Sequence, residues 1–272
     1  MKDYKIFIFI PTGNEYFVMP TPCDKNYITK NTHMNRFIIT VILCSLLTPF
    51  HSCAQTGTSN KPKQKEIKVG DGCEGCEAIY ECPVSFDKLE PMVWLPDWNQ
   101  PGQKLAVNGT VYKADGKTPA EGVIIYIYHT DQTGVYPKKG DEKGWAKRHG
   151  YLRGWMKTDK NGFYKFFTLR PASYPNSNNP AHIHITIKEP GKEEYWIDEF
   201  LFDDDPLLTP DQRKHLQDRG GSGILKTKAA EQIVKAERNI ILGKNIPNYP
   251  ATASLQKTKD WPFLFSFMAL IQ

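Results

Sequence analysis

From Leu105 onward the chain is a succession of apolar runs of seven or eight residues, each closed by turn chemistry: Leu105 to Tyr112 (LAVNGTVY), Val123 to His129 (VIIYIYH), Phe163 to Leu169 (FYKFFTL), Ala181 to Ile187 (AHIHITI) and Tyr195 to Phe202 (YWIDEFLF). Runs of this length and β-branched or aromatic content are strands, and strands at this spacing without helices between them form a sandwich or barrel. The expected fold is therefore mainly β, a β-sandwich of antiparallel strands with one or two short helices. Asp115-Gly116 and Asn161-Gly162 mark turns, the second expected to close a tight hairpin. One helix is signalled: Thr209-Pro210-Asp211-Gln212 supplies an N-cap hydroxyl, a first-turn proline and acid, and a capping-box glutamine. It should run to about Gln217, before Gly220-Gly221. Glu231 to Leu242 fits helix or strand equally, and Trp261 to Ile271 is apolar but too short to cross a bilayer, so it reads as a closing strand or packed tail.

Composition agrees with this reading. Hydrophobic residues are 40% and charged residues 24% of 272, which excludes disordered, collagenous and multi-span membrane classes. The net charge of +5 owes much to a Lys-rich stretch, Lys61 to Lys68, and gives no argument for nucleic acid.

Residues Phe37 to Leu47 (FIITVILCSLL) are an unbroken apolar run after Arg36 and before Pro49, the layout of a secretory signal. Met34 stands where such a signal begins, so residues 1–54 read as a leader with a misplaced start and a signal at 34–53. Phe50-His51-Ser52-Cys53 resembles a lipobox, with Cys53 as the lipidation site; Ser52-Cys53-Ala54 alternatively offers ordinary cleavage before Gln55. Export to a bacterial cell envelope follows, with any membrane attachment confined to that lipid. Residues 55–104 read as a polar tether and a Cys-containing segment, and 105–272 as the sandwich domain. Cys73, Cys76 and Cys82 are one short of a tetrahedral thiolate site and have no nearby His, so one disulfide is expected among them, the pair left open.

The chemistry concentrates at Pro180-Ala181-His182-Ile183-His184. On a strand, His182 and His184 share a face about 7 Å apart at Cα while Ile183 points to the opposite layer, so both imidazoles can meet one ion. Tyr174 lies eight residues upstream in a Pro-bracketed loop, and Tyr136 follows a strong strand in Thr133-Gly134-Val135-Tyr136-Pro137. Two phenolates and two imidazoles form a hard anionic set suited to a ferric ion.

These segments, Tyr128 to Tyr136, Thr158 to Tyr164, Pro171 to Pro175 and Pro180 to His184, in this order and spacing, resemble the intradiol ring-cleavage dioxygenases, the catechol and protocatechuate dioxygenase family. Asp198 to Pro206 and Ile240 to Pro250 resemble its later strands. The resemblance implies an Fe(3+) cofactor held by Tyr136, Tyr174, His182 and His184, with Tyr174 the phenolate that substrate displaces and the acceptor of its proton. It implies a small aromatic diol and O2 as partners, intradiol cleavage to a muconate-type diacid, and it leaves a homo-oligomer open. Tyr128 and Asn179 stand as substrate-binding residues, and Asn179 also as a catalytic one, at the position where family members carry a basic side chain. Either Arg170 or Arg153 supplies that charge instead, or turnover on simple catechols is poor. Two other classes stay in play: a transthyretin-like surface binding module, suggested by Gly109 to Ala120, and an iron-binding protein without oxygenase turnover. Asp203-Asp204-Asp205 reads as a solvated turn; His129, His149 and His215 as structural; Trp155 as core packing; Tyr126, Ile125 and Ile183 as interior.

Overall fold

The computed structural model describes residues 66–227 and 232–251. The signal run, Cys53 and the apolar tail after 251 lie outside them. Among the described residues eleven strands form two sheets: β1 Met92–Trp94, β2 Lys104–Tyr112, β3 Ile124–His129, β4 Arg153–Lys157, β5 Phe163–Leu169, β6 His182–Lys188, β7 Tyr195–Trp196, β8 Phe200–Phe202, β9 Ile224–Leu225, β10 Ile233–Glu237 and β11 Ile240–Ile241. One sheet has the order β1-β5-β2-β10, with β11 further along β2; the other runs β4-β3-β6-β8-β9, with β7 on β6.

The mainly-β expectation holds, with the pairing more mixed than an antiparallel sandwich. β2–β5, β3–β4, β3–β6, β6–β7 and β6–β8 are antiparallel, whereas β1–β5, β10–β2, β11–β2 and β8–β9 are parallel. Asn161-Gly162 closes no hairpin, because β4 and β5 belong to opposite sheets. Asp159 instead caps a crossover, accepting from Asn161 N–H at 2.8 Å and Phe163 N–H at 2.9 Å. The run Tyr195 to Phe202 is broken into β7 and β8.

Between the sheets lies a core built by strict alternation. Leu105, Val107, Tyr164 and Phe166 from one sheet meet Ile125, Ile127, Ile183 and Ile187 from the other, all buried. Each such side chain contributes roughly 1.5–3 kcal/mol by leaving water. The outer face of β3 is buried too, because residues 76–89 cover it: Ala78 and Ile79 pack on Ile124 and Tyr126, with Trp145 and Trp155 at the margin. Tyr126 is thus interior, but beneath the N-terminal segment rather than between the sheets. The residues that follow it supply Leu95 to the main core and β1 to a sheet edge.

Of the three cysteines, Cys73 and Cys76 are bridged and Cys82 is free. The helix α2 spans Pro210–Lys214, with Thr209 and Gln212 forming the reciprocal capping box. It stops three residues early because the His215 N–H turns back to Gln212 O at 3.1 Å, while its ring nitrogen takes the Asp211 carbonyl. Another single turn, α1, covers Ala146–His149. No helix among the described residues is long and apolar enough to cross a membrane.

Candidate metal centre

β6 presents His182 and His184 on one face, their Nε2 atoms 3.2 Å apart, while Ile183 enters the core. Each ring is fixed from behind. His182 Nδ1 meets the Pro180 carbonyl at 2.7 Å and His184 Nδ1 meets Glu199 Oε1 at 2.6 Å. Both partners are acceptors only, so Nδ1 carries the proton in each ring and both Nε2 lone pairs are left for a cation. Tyr128, paired with His184 across β3 and β6, stacks on the His184 ring at 4.4 Å, and His149 stacks on the other face of Tyr128 at 3.7 Å.

The phenols come from two loops that are braced against each other. After β3, Asp131 accepts from Thr133 N–H at 2.8 Å and Val135 N–H at 3.2 Å, and its own N–H reaches Val135 O, which coils the chain into Tyr136. The Ala172 N–H donates to Asp131 O at 3.0 Å and the Thr130 hydroxyl to Ala172 O at 2.7 Å, so the Tyr174 loop is laid along the first. Gly134 sits at the crossing with φ 78°, its Cα against the Ser173 carbonyl. Tyr136 Oη then lies 2.7 Å from His184 Nε2, and Tyr174 Oη lies 3.0 Å from His182 Nε2, 3.3 Å from His184 Nε2 and in direct contact with Tyr136 Oη.

Four donors gathered about 3 Å apart have the spacing of ligands that surround one ion at roughly 2 Å. Their chemistry, two oxygens and two imidazole nitrogens, fits a hard ferric ion. Burial pushes both phenols upward, so they stay neutral until a cation draws the protons off. Burial also lowers His182, keeping its lone pair available at neutral pH.

Glu199 joins His182 and His184 in a group whose ligand atoms all lie within 4.8 Å of one another. Such a set could suggest a two-His, one-carboxylate triad. The geometry speaks against it: the carboxylate sits on Nδ1 of His184, on the side of the ring turned away from the phenols. Burial acts to raise Glu199, but the hydrogen bond from His184 and the two imidazoles outweigh it and bring the carboxyl down to about 2. Sequence reasoning assigned Glu199 no role, and only its place in the 198–206 strand segment hinted at one.

The remaining expected residues divide. Tyr128 stands at the site. Asn179 is exposed on the loop between Tyr174 and His182, with its backbone N–H on Ser177 Oγ at 3.0 Å. Neither arginine takes its place, since Arg170 forms a two-pronged pair with Asp204 at 2.7 and 2.8 Å and Arg153 pairs with Glu81 at 2.7 Å. Nor is the acidic triplet a simple solvated turn. Asp203 and Asp204 are bound to arginines, and buried Asp205 accepts the Ala181 N–H at 2.7 Å, anchoring the start of β6. His149 and buried His129 are hydrogen-bonded, to Tyr126 and to Thr130 and Thr168 respectively, and His215 to Asp211. Trp155 donates its indole N–H to Ile79 O at 2.9 Å, so its place is structural.

On the Glu199 side of His184 opens a cleft of about 420 Å³. Tyr128, His184, Thr186 and Trp196 contribute to its lining, as do the bridged Cys73–Cys76 loop and residues 215–217. Its charged lining groups are Glu74, Asp198 and Glu199, with no Lys or Arg.

A family model described as Dioxygenase matches residues 87–236. The protocatechuate 3,4-dioxygenase beta chain of Burkholderia cepacia is 28% identical over 116 residues, 40% of this chain and 49% of that protein. Catechol 1,2-dioxygenase 1 of Acinetobacter lwoffii is 30% identical over 123 residues, 39% of this chain and 38% of that one. The chain thus spans about half the length, or less, of these curated relatives. Among solved structures, the dioxygenase domain of a dioxygenase carbohydrate-binding fusion from Streptomyces sp. SirexAA-E is 23% identical, covering 60% of this chain and 94% of that domain, with a TM-score of 0.44.

Proposed function

Because the chain belongs to the intradiol ring-cleavage dioxygenase family, we propose that it is a non-haem Fe(III) enzyme that inserts both atoms of O2 into a catechol-type diol and opens the ring to a muconate-type diacid. The observation that carries this reading is the convergence of Tyr136, Tyr174, His182 and His184 on one point. When bound there, a ferric ion supplies Lewis acidity toward the two hydroxyls of a catechol.

The chain's own residues do the rest. Tyr136, His182 and His184 hold the ion, the two imidazoles in tautomers set by Glu199 and Pro180. Tyr174 Oη, central to the donor group, takes the proton that a substrate hydroxyl gives up, and the burial that raises its pKa keeps that proton in place. Tyr128, stacked by His184 on one face and His149 on the other, has its edge left to meet the substrate ring.

A second reading, ferric binding without turnover, draws on the exposed Asn179 and on the pairing of Arg170 with Asp204 and of Arg153 with Glu81. One experiment separates the two. Protein from residue 55 onward is loaded with ferric iron and its visible spectrum recorded beside Tyr136→Phe, followed by O2 uptake and ring-opened product on a catechol panel. A tyrosinate charge-transfer band that shifts on adding catechol, with stoichiometric O2 uptake, is the expected result. A band without uptake favours the binding reading, and colourless, iron-free protein refutes both.

We further propose export, with the signal at 34–53 and lipid on Cys53. The Cys73–Cys76 bridge supports an oxidising compartment.

A further inference from the structure

We infer that the negative charge of Glu199, carried through His184, is a positioning and tuning element that sets how strongly the centre prefers ferric over ferrous iron. This rests on the ferric reading of the site and goes beyond it. A neutral acceptor such as a backbone carbonyl would suffice to fix a ring tautomer, and His182 has that arrangement with Pro180. His184 has a carboxylate instead, at 2.6 Å from Nδ1. A full charge there makes the imidazole a stronger donor, because its proton is drawn toward the carboxylate and electron density is left on Nε2.

Three observations support the assignment. His184 is the only hydrogen-bond partner of Glu199 among the described residues, so no cation shares the charge. The cleft that Glu199 faces is lined by no Lys or Arg, and of its two further carboxylates only Glu74 has a cation, Arg148 from outside the lining. The ring is also fixed in its plane by Tyr128, stacked at 4.4 Å with 17° between the rings, which keeps Nδ1 on Glu199 and Nε2 on the phenol oxygens. An anionic neighbour stabilises the higher charge of the ferric ion more than that of the ferrous ion, which gives the direction of the effect.

Glu199→Gln is the discriminating variant, since its amide oxygen can still accept the Nδ1 proton while the charge is gone. On full-length protein loaded with iron, the expected result is a 10- to 100-fold loss of ferric affinity. The phenolate-to-iron band moves to lower energy, and the midpoint potential rises by about 59 mV for each tenfold by which ferric binding weakens more than ferrous. Affinity, band and potential all equal to wild type would overturn the inference and leave Glu199 as a placeholder for the ring. Wild-type protein that takes up no ferric ion would overturn the reading of the site and this inference together, a distinguishable outcome. Should the variant fail to fold, the metal-free wild type decides: a downfield, slowly exchanging His184 Nδ1 proton is required, and its absence refutes the pairing.

Discussion

Gly134→Ala tests whether the two phenol loops are set by their backbone crossing. At φ 78°, an added Cβ lies 1.9 Å from the Ser173 oxygen and 2.9 Å from its carbon, where real contacts begin near 3.0 Å. The loops must therefore part by about 1 Å, and neither obstacle is a flexible side chain. The left-handed backbone costs roughly 1–2 kcal/mol for a residue with a Cβ, and forced separation of packed groups roughly 1–3 more. The sum, roughly 2–5 kcal/mol, lowers the melting temperature on the order of 5–15 °C for a domain of this size. Tyr136 and Tyr174 follow Gly134 and Ser173 within two residues, so their oxygens separate too, and ferric affinity should fall at least tenfold. Gly140→Ala is the control: its φ is 98° but nothing lies within 4 Å of the added atom, so it carries backbone strain without the clash. Melting curves and ferric titrations of the two variants give the answer. If Gly134→Ala loses no more stability than Gly140→Ala and binds iron like wild type, the crossing does not position the phenols.

Other consequences follow from the same geometry. Buried His129 is held neutral, its pKa lowered to about 4 by burial, so its contribution is intact above pH 6.5 and is lost as pH falls toward 4, worth roughly 3 kcal/mol across that window. Urea melts at pH 7.5 and 4.5 should show His129→Gln losing about that much less than wild type on acidification, and equal losses would refute it. Reducing the Cys73–Cys76 bridge opens a four-residue loop, and the chain-entropy relation gives a loss of about 2 kcal/mol, measurable by denaturation with and without reductant.

What the sequence displays plainly is whatever local periodicity or chemistry decides. β5 occupies the whole run Phe163 to Leu169 because its alternation is unbroken, and the histidine pair is legible because a strand's period of two dictates where both rings point. The cap on α2 is equally local. What stayed hidden depends on distant partners. β4 has a glycine at its second position, and the reason lies in Leu95, whose Cδ1 would be 2.7 Å from a Cβ at Gly154. Glu231 to Leu242 could not be told from a helix because its strands are fixed by parallel pairing to β2, more than a hundred residues earlier. Glu199 escaped notice because a lone carboxylate gains meaning only from the imidazole it faces.

The two halves of the donor set differ in how firmly they are held, and that difference decides which donor moves most easily. The histidines stand on a central strand paired on both sides, by β3 and by β7 and β8, and each ring is tied at Nδ1. Tyr136 ends a loop that Asp131 fastens at four backbone positions, through its side chain to Thr133 and Val135 and through its own backbone to Gly134, Val135 and Ala172. Beyond Tyr174 the chain runs through Pro175 to Asn179, largely exposed, with Asn176 at φ 57° and few ties, among them the Gln212 side chain on the Asn178 carbonyl. A side chain is displaced most easily where the backbone on at least one flank is free to follow it. Tyr136 is likewise followed by exposed loop, but there the Tyr151 N–H holds the Pro137 carbonyl at 3.0 Å, so Tyr174, which touches both imidazoles and the other phenol, is the donor whose departure disturbs the least structure.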